Sequence, residues 1–290
     1  MVTNRIIELL EAGTVPWQKP WADDGVPMNL ISKRPYRGIN LWLLLSLNYE
    51  HNLFLTWDQL KKIGGSVNQG EHGHIVLFWK HVKKQPEEFD KRGNAKTVPM
   101  LRYYKVFNIA QCRDLPKDNI EPLVTKEHDT LLECEGIIQT MPDCPVIKHK
   151  EQKAYYHIIE DYINMPRKKS FKSIEAYYSV LFHELVHSTG SEKRLGRKSI
   201  TEMNEFGSEP YSIEELIAEL GSAYLCSFTG IIDKEIQNSV AYIDGWLDKL
   251  KNDKRFIVQA SGQAQRAVDC ILNLAVAKGE ELEVIEEVMG

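Results

Sequence analysis

The sequence predicts an α+β protein in two domains: residues 1–125 mix helices and strands, and residues 126–290 are mostly helical with a small sheet. Three observations carry this. Runs rich in β-branched and aromatic residues are confined to the first part and to a short stretch before Pro166, whereas helical periodicity dominates from Ser173 onward. A length of 290 residues fits two domains of ordinary size or one large one. Charge divides the same way: residues 1–113 hold 16 Lys and Arg against 10 Asp and Glu, and residues 114–290 hold 20 against 31.

Taken in order, Val2 to Glu11 has apolar residues at 2, 6, 7, 9 and 10, which spells an amphipathic helix stopped by Gly13 and Pro16. Pro16 to Gly38, with four prolines, reads as loop. Helices follow over Asn40 to Tyr49 and over Trp57 to Ile63, the latter ending at Gly64-Gly65. His74 to His81 and Arg102 to Asn108 read as strands, with a polar loop over Gln85 to Pro99. Residues 113–145 form the connection, with a helix from about Glu127 to Gln139 inside it. Tyr155 to Met165 reads as one or two strands. Ser173 is an N-cap and Gly190 a C-terminal stop for a helix between them, and Tyr211 to Thr229 is a second helix stopped by Gly230. Ser239 to Leu250 and Arg255 to Ala277 look like two more.

Composition narrows the class. With 43% hydrophobic and 27% charged residues, the chain has enough apolar surface for a packed core. No apolar run approaches the roughly 18–20 residues a membrane span needs, and the first residues lack a signal-peptide apolar region. The five cysteines are scattered without a C-x-x-C pair, so neither a disulfide framework nor a cysteine zinc site is expected, and a reducing cytoplasm is.

The chemical signal is His183-Glu184-Leu185-Val186-His187. Spacing i, i+4 puts both imidazoles on one helix face, where two nitrogens can bind one zinc ion. Glu184 beside them can act as general base on a water whose pKa the metal lowers toward ~7. With nine histidines in 290 residues, chance supplies this bare pattern about 0.03 times. A hydrolytic zinc site needs a third protein ligand, and no histidine follows His187. A carboxylate from Glu214, Glu215 or Glu219 is therefore expected, or a ligand from upstream. Glu215 and Glu219 share a helix face, and Glu214 and Glu215 are not expected to point inward together. Against this stands a capping box in Ser212-Ile213-Glu214-Glu215, in which Glu215 would only satisfy the helix N-terminus. Small residues Ala218, Gly221, Ser222 and Ala223 would let this helix pack closely on the histidine helix. Glu215-Leu216-Ile217-Ala218-Glu219 resembles the third-ligand helix of glutamate-type zincins such as thermolysin. By that resemblance Glu215 binds zinc and Glu219 braces a ligating histidine. Ile158 to Met165 reads either as an edge strand for extended substrate or as an ordinary core strand.

The first part mixes cations with aromatics: Pro16-Trp17-Gln18-Lys19-Pro20-Trp21, then Arg34-Pro35-Tyr36-Arg37-Gly38-Ile39-Asn40. Single-stranded nucleic acid is held by this combination, although such rings also serve as core anchors. Together with Val106-Phe107-Asn108, the Phe182 to Gly190 motif, Arg194-Leu195-x-Arg197 and Glu214 to Leu220, these segments resemble the ArdC-type antirestriction proteins, a family related to the N-terminal part of plasmid TraC primases. Ser188 departs from the family pattern at a position that is often aromatic. The resemblance implies an N-terminal domain binding single-stranded DNA, a C-terminal zincin-like metallopeptidase, and a role in plasmid conjugation or other mobile elements. It implies His183, His187 and Glu215 as metal ligands, Glu184 as catalyst, and Zn2+ as the ion, with Mn2+ or another divalent metal as alternatives. The protein substrate is unknown, host DNA-associated proteins being candidates, and no membrane partner is expected. Charge and resemblance nominate Arg34, Tyr36, Arg37, Asn40, Trp42, Lys61 and Lys62 as DNA contacts. The competing function is a non-catalytic coat on single-stranded DNA that blocks restriction sterically, its metal site structural or vestigial.

Overall fold

The computed structural model describes residues 2–11, 26–47, 49–83, 89, 97–116, 130–201, 209–231, 246, 247, 249–253 and 255–274. They group into two compact units. Gly13, Pro16, the Trp17 and Trp21 segment, most of the Gln85 to Pro99 loop and the start of the Ser239 to Leu250 helix lie outside the described residues.

One unit holds Pro27–Tyr36 and the described part of Leu47–Pro122. Its four-stranded sheet has the order β1 (Met28–Asn29), β2 (Leu53–Thr56), β5 (Thr97–Asn108), β4 (His74–Lys83). β4 and β5 pair antiparallel from His74 opposite Val106 to Lys83 opposite Thr97. Both strands outrun the sequence expectation, because a two-stranded ribbon continues wherever its backbone can pair, with or without an apolar pattern. Helix α3 (Trp57–Lys62) follows β2 directly. Thr56 caps it: its hydroxyl accepts from Gln59 N at 3.2 Å while Gln59 Oε1 accepts from Thr56 N at 3.0 Å. Leu60 of α3 joins Leu30, Leu55 and Ile109 in a core on one face of β2. Gly64, at φ +81, ends the helix in a left-handed turn as expected. Short strands β3 (Ser66–Val67) and β6 (Cys112–Arg113) pair beside it.

The other unit holds α1 (Val2–Glu11), Arg37–Ser46 with α2 (Ile39–Leu45), and the described part of Leu123–Ala275. Arg37 forms an ion pair with Asp269 and Gly38 N donates to Gln265 Oε1 at 3.0 Å, tying that segment to α8 (Phe256–Ile271). α4 (Thr130–Thr140) sits inside the connection. A three-stranded sheet follows in the order β7 (Val146–Lys148), β9 (Tyr162–Asn164), β8 (Tyr155–His157). Its middle strand is β9, fully buried, so of the two readings of Ile158 to Met165 the core strand holds and the substrate-pairing edge does not: the edges are β7 and β8. Residues 158–161 form the turn between β8 and β9, with Asp161 at φ 50. Arg194 clamps that turn, donating to Asp161 Oδ1 at 2.9 Å and to the carbonyl of Ser188 at 3.0 Å.

The rest is helical: α5 (Ile174–Ser188), α6 (Lys198–Thr201), α7 (Glu209–Thr229) and α8. Among the described residues no helix is long and apolar enough to cross a membrane.

Candidate metal centre

The centre is built where α5 meets α7. Ser173 starts α5 as expected, its hydroxyl accepting from Ala176 N at 3.1 Å. Tyr177, Tyr178, Leu181, Phe182, Leu185 and Val186 bury the helix and fix its rotation. That rotation turns His183 and His187 toward α7. The small residues of α7 allow the approach: a Cβ on Gly221 would stand 2.7 Å from Val186 Cγ2, and Ser222 Oγ donates to the Ser179 carbonyl at 2.8 Å.

The two imidazoles meet at 4.7 Å between centroids and 79° between planes, with their Nε2 atoms 3.0 Å apart. The Glu215 carboxylate faces both, 3.6 Å from His183 Nε2 and 3.6 Å from His187 Nε2. One ligand atom from each of His183, His187 and Glu215 falls within 4.8 Å of the others, and among the described residues this is the group that could hold a metal ion. Two imidazole nitrogens and one carboxylate form the donor set of a hydrolytic zinc site, and they suit other divalent ions as well. Glu184 lies buried next to His183 on the same helix.

The outer nitrogens are also engaged. Glu219 Oε1 lies 3.7 Å from His183 Nδ1, and His187 Nδ1 donates to Glu214 Oε1 at 3.1 Å. Glu214 is held in turn by Arg197 Nη2 at 2.6 Å, Arg197 Nε at 3.0 Å and Ser199 Oγ at 2.5 Å. Arg197 also donates to Thr189 Oγ1 at 2.6 Å and to the Val186 carbonyl at 2.8 Å. Gly190 leaves room for this guanidinium, since a Cβ there would stand 3.0 Å from Arg197 Nη2 and 2.5 Å from Ile200 Cγ1. The histidine that ends α5 is thus tied through one acid to the segment after it. Burial works against a charged His183, but the hydrogen bond the ring would donate to Glu215 and the charges of Glu219, Glu184 and Glu215 outweigh it and raise the ring to about 9. Burial also opposes the charge on Glu214, yet His187 and Arg197 hold that carboxyl down to about 2. Four carboxylates around two imidazoles leave an excess of negative charge, which a cation would answer.

Two expectations need correction. Ser212 is not a cap, because α7 begins at Glu209 and passes through it. Glu214 and Glu215 do both point inward, to opposite sides of His187. Sequence reasoning named Glu214 as a candidate ligand and Arg197 as part of a motif, but missed that the two pair behind His187.

Of the nominated DNA contacts, Arg37, Asn40 and Trp42 fall in the unit that holds the centre, and Arg34, Tyr36, Lys61 and Lys62 in the other. Trp42 is 2% exposed and Tyr36 8%, the latter edge-on to Phe54 at 6.2 Å, so neither ring offers a face to a base in this conformation. Arg34, Lys61 and Lys62 are exposed, Arg37 is ion-paired with Asp269, and Asn40 is half-buried. Ser188 is fully buried, its hydroxyl donating to the Leu185 carbonyl at 2.7 Å.

Known proteins resemble the chain over both units. Residues 1–107 match a family model described as the N-terminal domain of anti-restriction factor ArdC, and residues 137–263 one described as a zincin-like metallopeptidase. The metal-free crystal structure of the antirestriction ArdC protein from plasmid R388 is 36% identical, with a TM-score of 0.75 over 93% of this chain and 94% of that one. Its Mn(II)-bound structure gives 34% and 0.76 over 96% and 97%. The uncharacterized protein y4eC of Sinorhizobium fredii is 31% identical over 92% of this chain and 89% of its own length. A DNA primase TraC of Escherichia coli is 33% identical over 93% of this chain, which spans 26% of that primase.

Proposed function

The chain belongs to the ArdC family of antirestriction proteins, and on that premise we propose that it is a zinc-dependent peptidase that also binds single-stranded DNA of an entering mobile element. The observation that carries the reading is the convergence of His183, His187 and Glu215 beside the buried acid Glu184. His183 and His187 would hold the ion through Nε2 and Glu215 through its carboxylate. When bound, a divalent ion supplies Lewis-acid activation of a water and of a peptide carbonyl. The chain's own groups do the rest. Glu214 accepts the Nδ1 proton of His187, which leaves Nε2 of that ring with its lone pair. Glu219 faces Nδ1 of His183 in the same sense. Glu184 takes a proton from the attacking water at its carboxylate and returns it to the amine nitrogen as the peptide bond breaks. Two histidines and one acid suit a single ion and an acyl carbon, whereas phosphodiester cleavage usually employs carboxylate clusters with magnesium or paired metals.

The test is Glu184→Gln in the metal-loaded protein, with host DNA-associated proteins as candidate substrates and single-stranded DNA present. Cleavage is expected to fall by about 100- to 10,000-fold while metal content and DNA binding hold. Undiminished cleavage by the variant would overturn the peptidase reading. DNA binding and protection without cleavage by either form would favour the steric coat.

A further inference from the structure

We propose that one face of the β4–β5 sheet, with the start of α3, is the surface that holds single-stranded DNA. This rests on the DNA-binding part of the reading above and is independent of the peptidase part. Residues opposite each other in an antiparallel pair share a face. Tyr103 lies opposite Leu77 and Lys105 opposite Ile75 on β4, and Phe107 lies opposite Leu55 on β2. The other face carries Val76 and Val106, both fully buried. Toward β2 the first face is closed by α3, whose Leu60 packs on Leu55. Beyond α3 it opens. Trp57 rests beside Phe107 at 5.8 Å and is 44% exposed, and Tyr103 is 65% exposed. Lys61 Nζ stands over the Trp57 ring at 5.6 Å, and Lys105 is exposed between Tyr103 and Phe107 along β5. Gly73 backs closely onto this stretch, since a Cβ there would stand 3.0 Å from both Lys105 Cβ and Phe107 Cζ.

The chemistry of this face selects its occupant. Large exposed aromatics on a sheet mark a contact surface. Cores of protein–protein interfaces are depleted in lysine, whereas here lysines interleave with the rings. Unpaired bases stack on such rings while phosphates meet the ammonium groups, and residues two apart on a strand are spaced by about 6.8 Å. A duplex hides the ring faces of its bases and gains only the charge. Asp58 is the single acid on α3, against Lys61 and Lys62. The face thus supplies the stacking rings that the buried Tyr36 and Trp42 do not.

Anisotropy of a labelled oligothymidine bound to the full chain tests this, with a duplex of equal length as control. Trp57→Ala and Tyr103→Ala should each weaken oligothymidine binding by about five- to 150-fold. Tyr103→Phe, which keeps the ring, should bind as wild type. Lys61→Gln and Lys105→Gln should each flatten the slope of log affinity against log salt by about 0.7. Duplex affinity should move little with the aromatic changes. If wild type does not bind the oligonucleotide, the DNA-binding reading itself fails. If wild type binds and the alanine variants bind equally well with unchanged melting temperature, the reading stands and this surface is wrong. Loss of self-association in the alanine variants, with DNA binding unmoved, would assign the face to a second copy of the chain and overturn the proposal.

Discussion

Glu214 accepts a hydrogen bond from His187 on one side while Arg197 and Ser199 donate to it on the other, so its carboxylate is shared between the proposed metal site and the fold. Glu214→Gln keeps the shape and removes the charge. Arg197 is then buried without its counter-charge, and breaking such a pair costs about 3–5 kcal/mol. The Nδ1 partner of His187 weakens at the same time, a change that lowers metal affinity by about 10- to 100-fold in comparable sites. Chelator competition in native buffer reads the second effect and urea unfolding of the metal-free protein reads the first. Unchanged metal affinity would show that Glu214 serves folding alone. The shared face of His183 and His187 was legible in the sequence because i, i+4 spacing fixes it whatever surrounds it. The inward turn of Glu214 beside Glu215 was not, because adjacent helical residues diverge by about 100° and the face presented to α5 is at least that wide. Only the position of Arg197 and Ser199 decides that both acids turn inward.

At the scale of elements, the centre depends on how closely α5 and α7 approach, and Gly221 sets that distance. Ala is the better helix former by up to about 1 kcal/mol. Against this gain, its methyl would stand 2.7 Å from Val186 Cγ2 and 3.0 Å from Val186 Cγ1, and both belong to a β-branched side chain with little freedom to turn. Overpacking of this kind costs about 1–3 kcal/mol. Gly221→Ala should therefore lower the melting temperature and, by shifting Glu215 away from the histidines, weaken metal binding. Adding Val186→Ala should recover the metal binding, since it removes the two colliding methyls. A Gly221→Ala protein that is as stable and binds metal as tightly as wild type would refute the close-approach argument. Element existence was readable here from local chemistry: Ser173 and Gly190 bracket α5, and Gly64-Gly65 ends α3. The order of β7, β9 and β8 was not, because three-residue strands carry no periodicity that separates an edge from a centre. The length of the β4–β5 ribbon escaped for the related reason that its outer pairs rest on backbone hydrogen bonds.

Across the whole molecule, the two proposed chemistries fall in different units, and the charge follows them. Lysine and aromatic residues crowd the ribbon unit, whereas the centre gathers Glu184, Glu214, Glu215 and Glu219. Such separation would make the two proposed activities separable by mutation, since sites without shared partners perturb stability independently. Transfer of a restriction-sensitive plasmid into a restricting host, in the presence of matched amounts of each protein, then apportions protection between them. Glu184→Gln should bind single-stranded DNA as wild type and fail to protect, and Trp57→Ala with Tyr103→Ala should keep metal and fail to protect. Failure of both would mean that the peptidase must be carried to its target by the DNA it holds. Full protection by Glu184→Gln alongside failure of the aromatic variant would mean that occupancy of the strand suffices, and the metal centre would then serve another reaction. The second pattern is the less expected on structural grounds. A structural metal site is usually closed by four protein ligands, and here the three side chains that could hold an ion converge next to the buried Glu184.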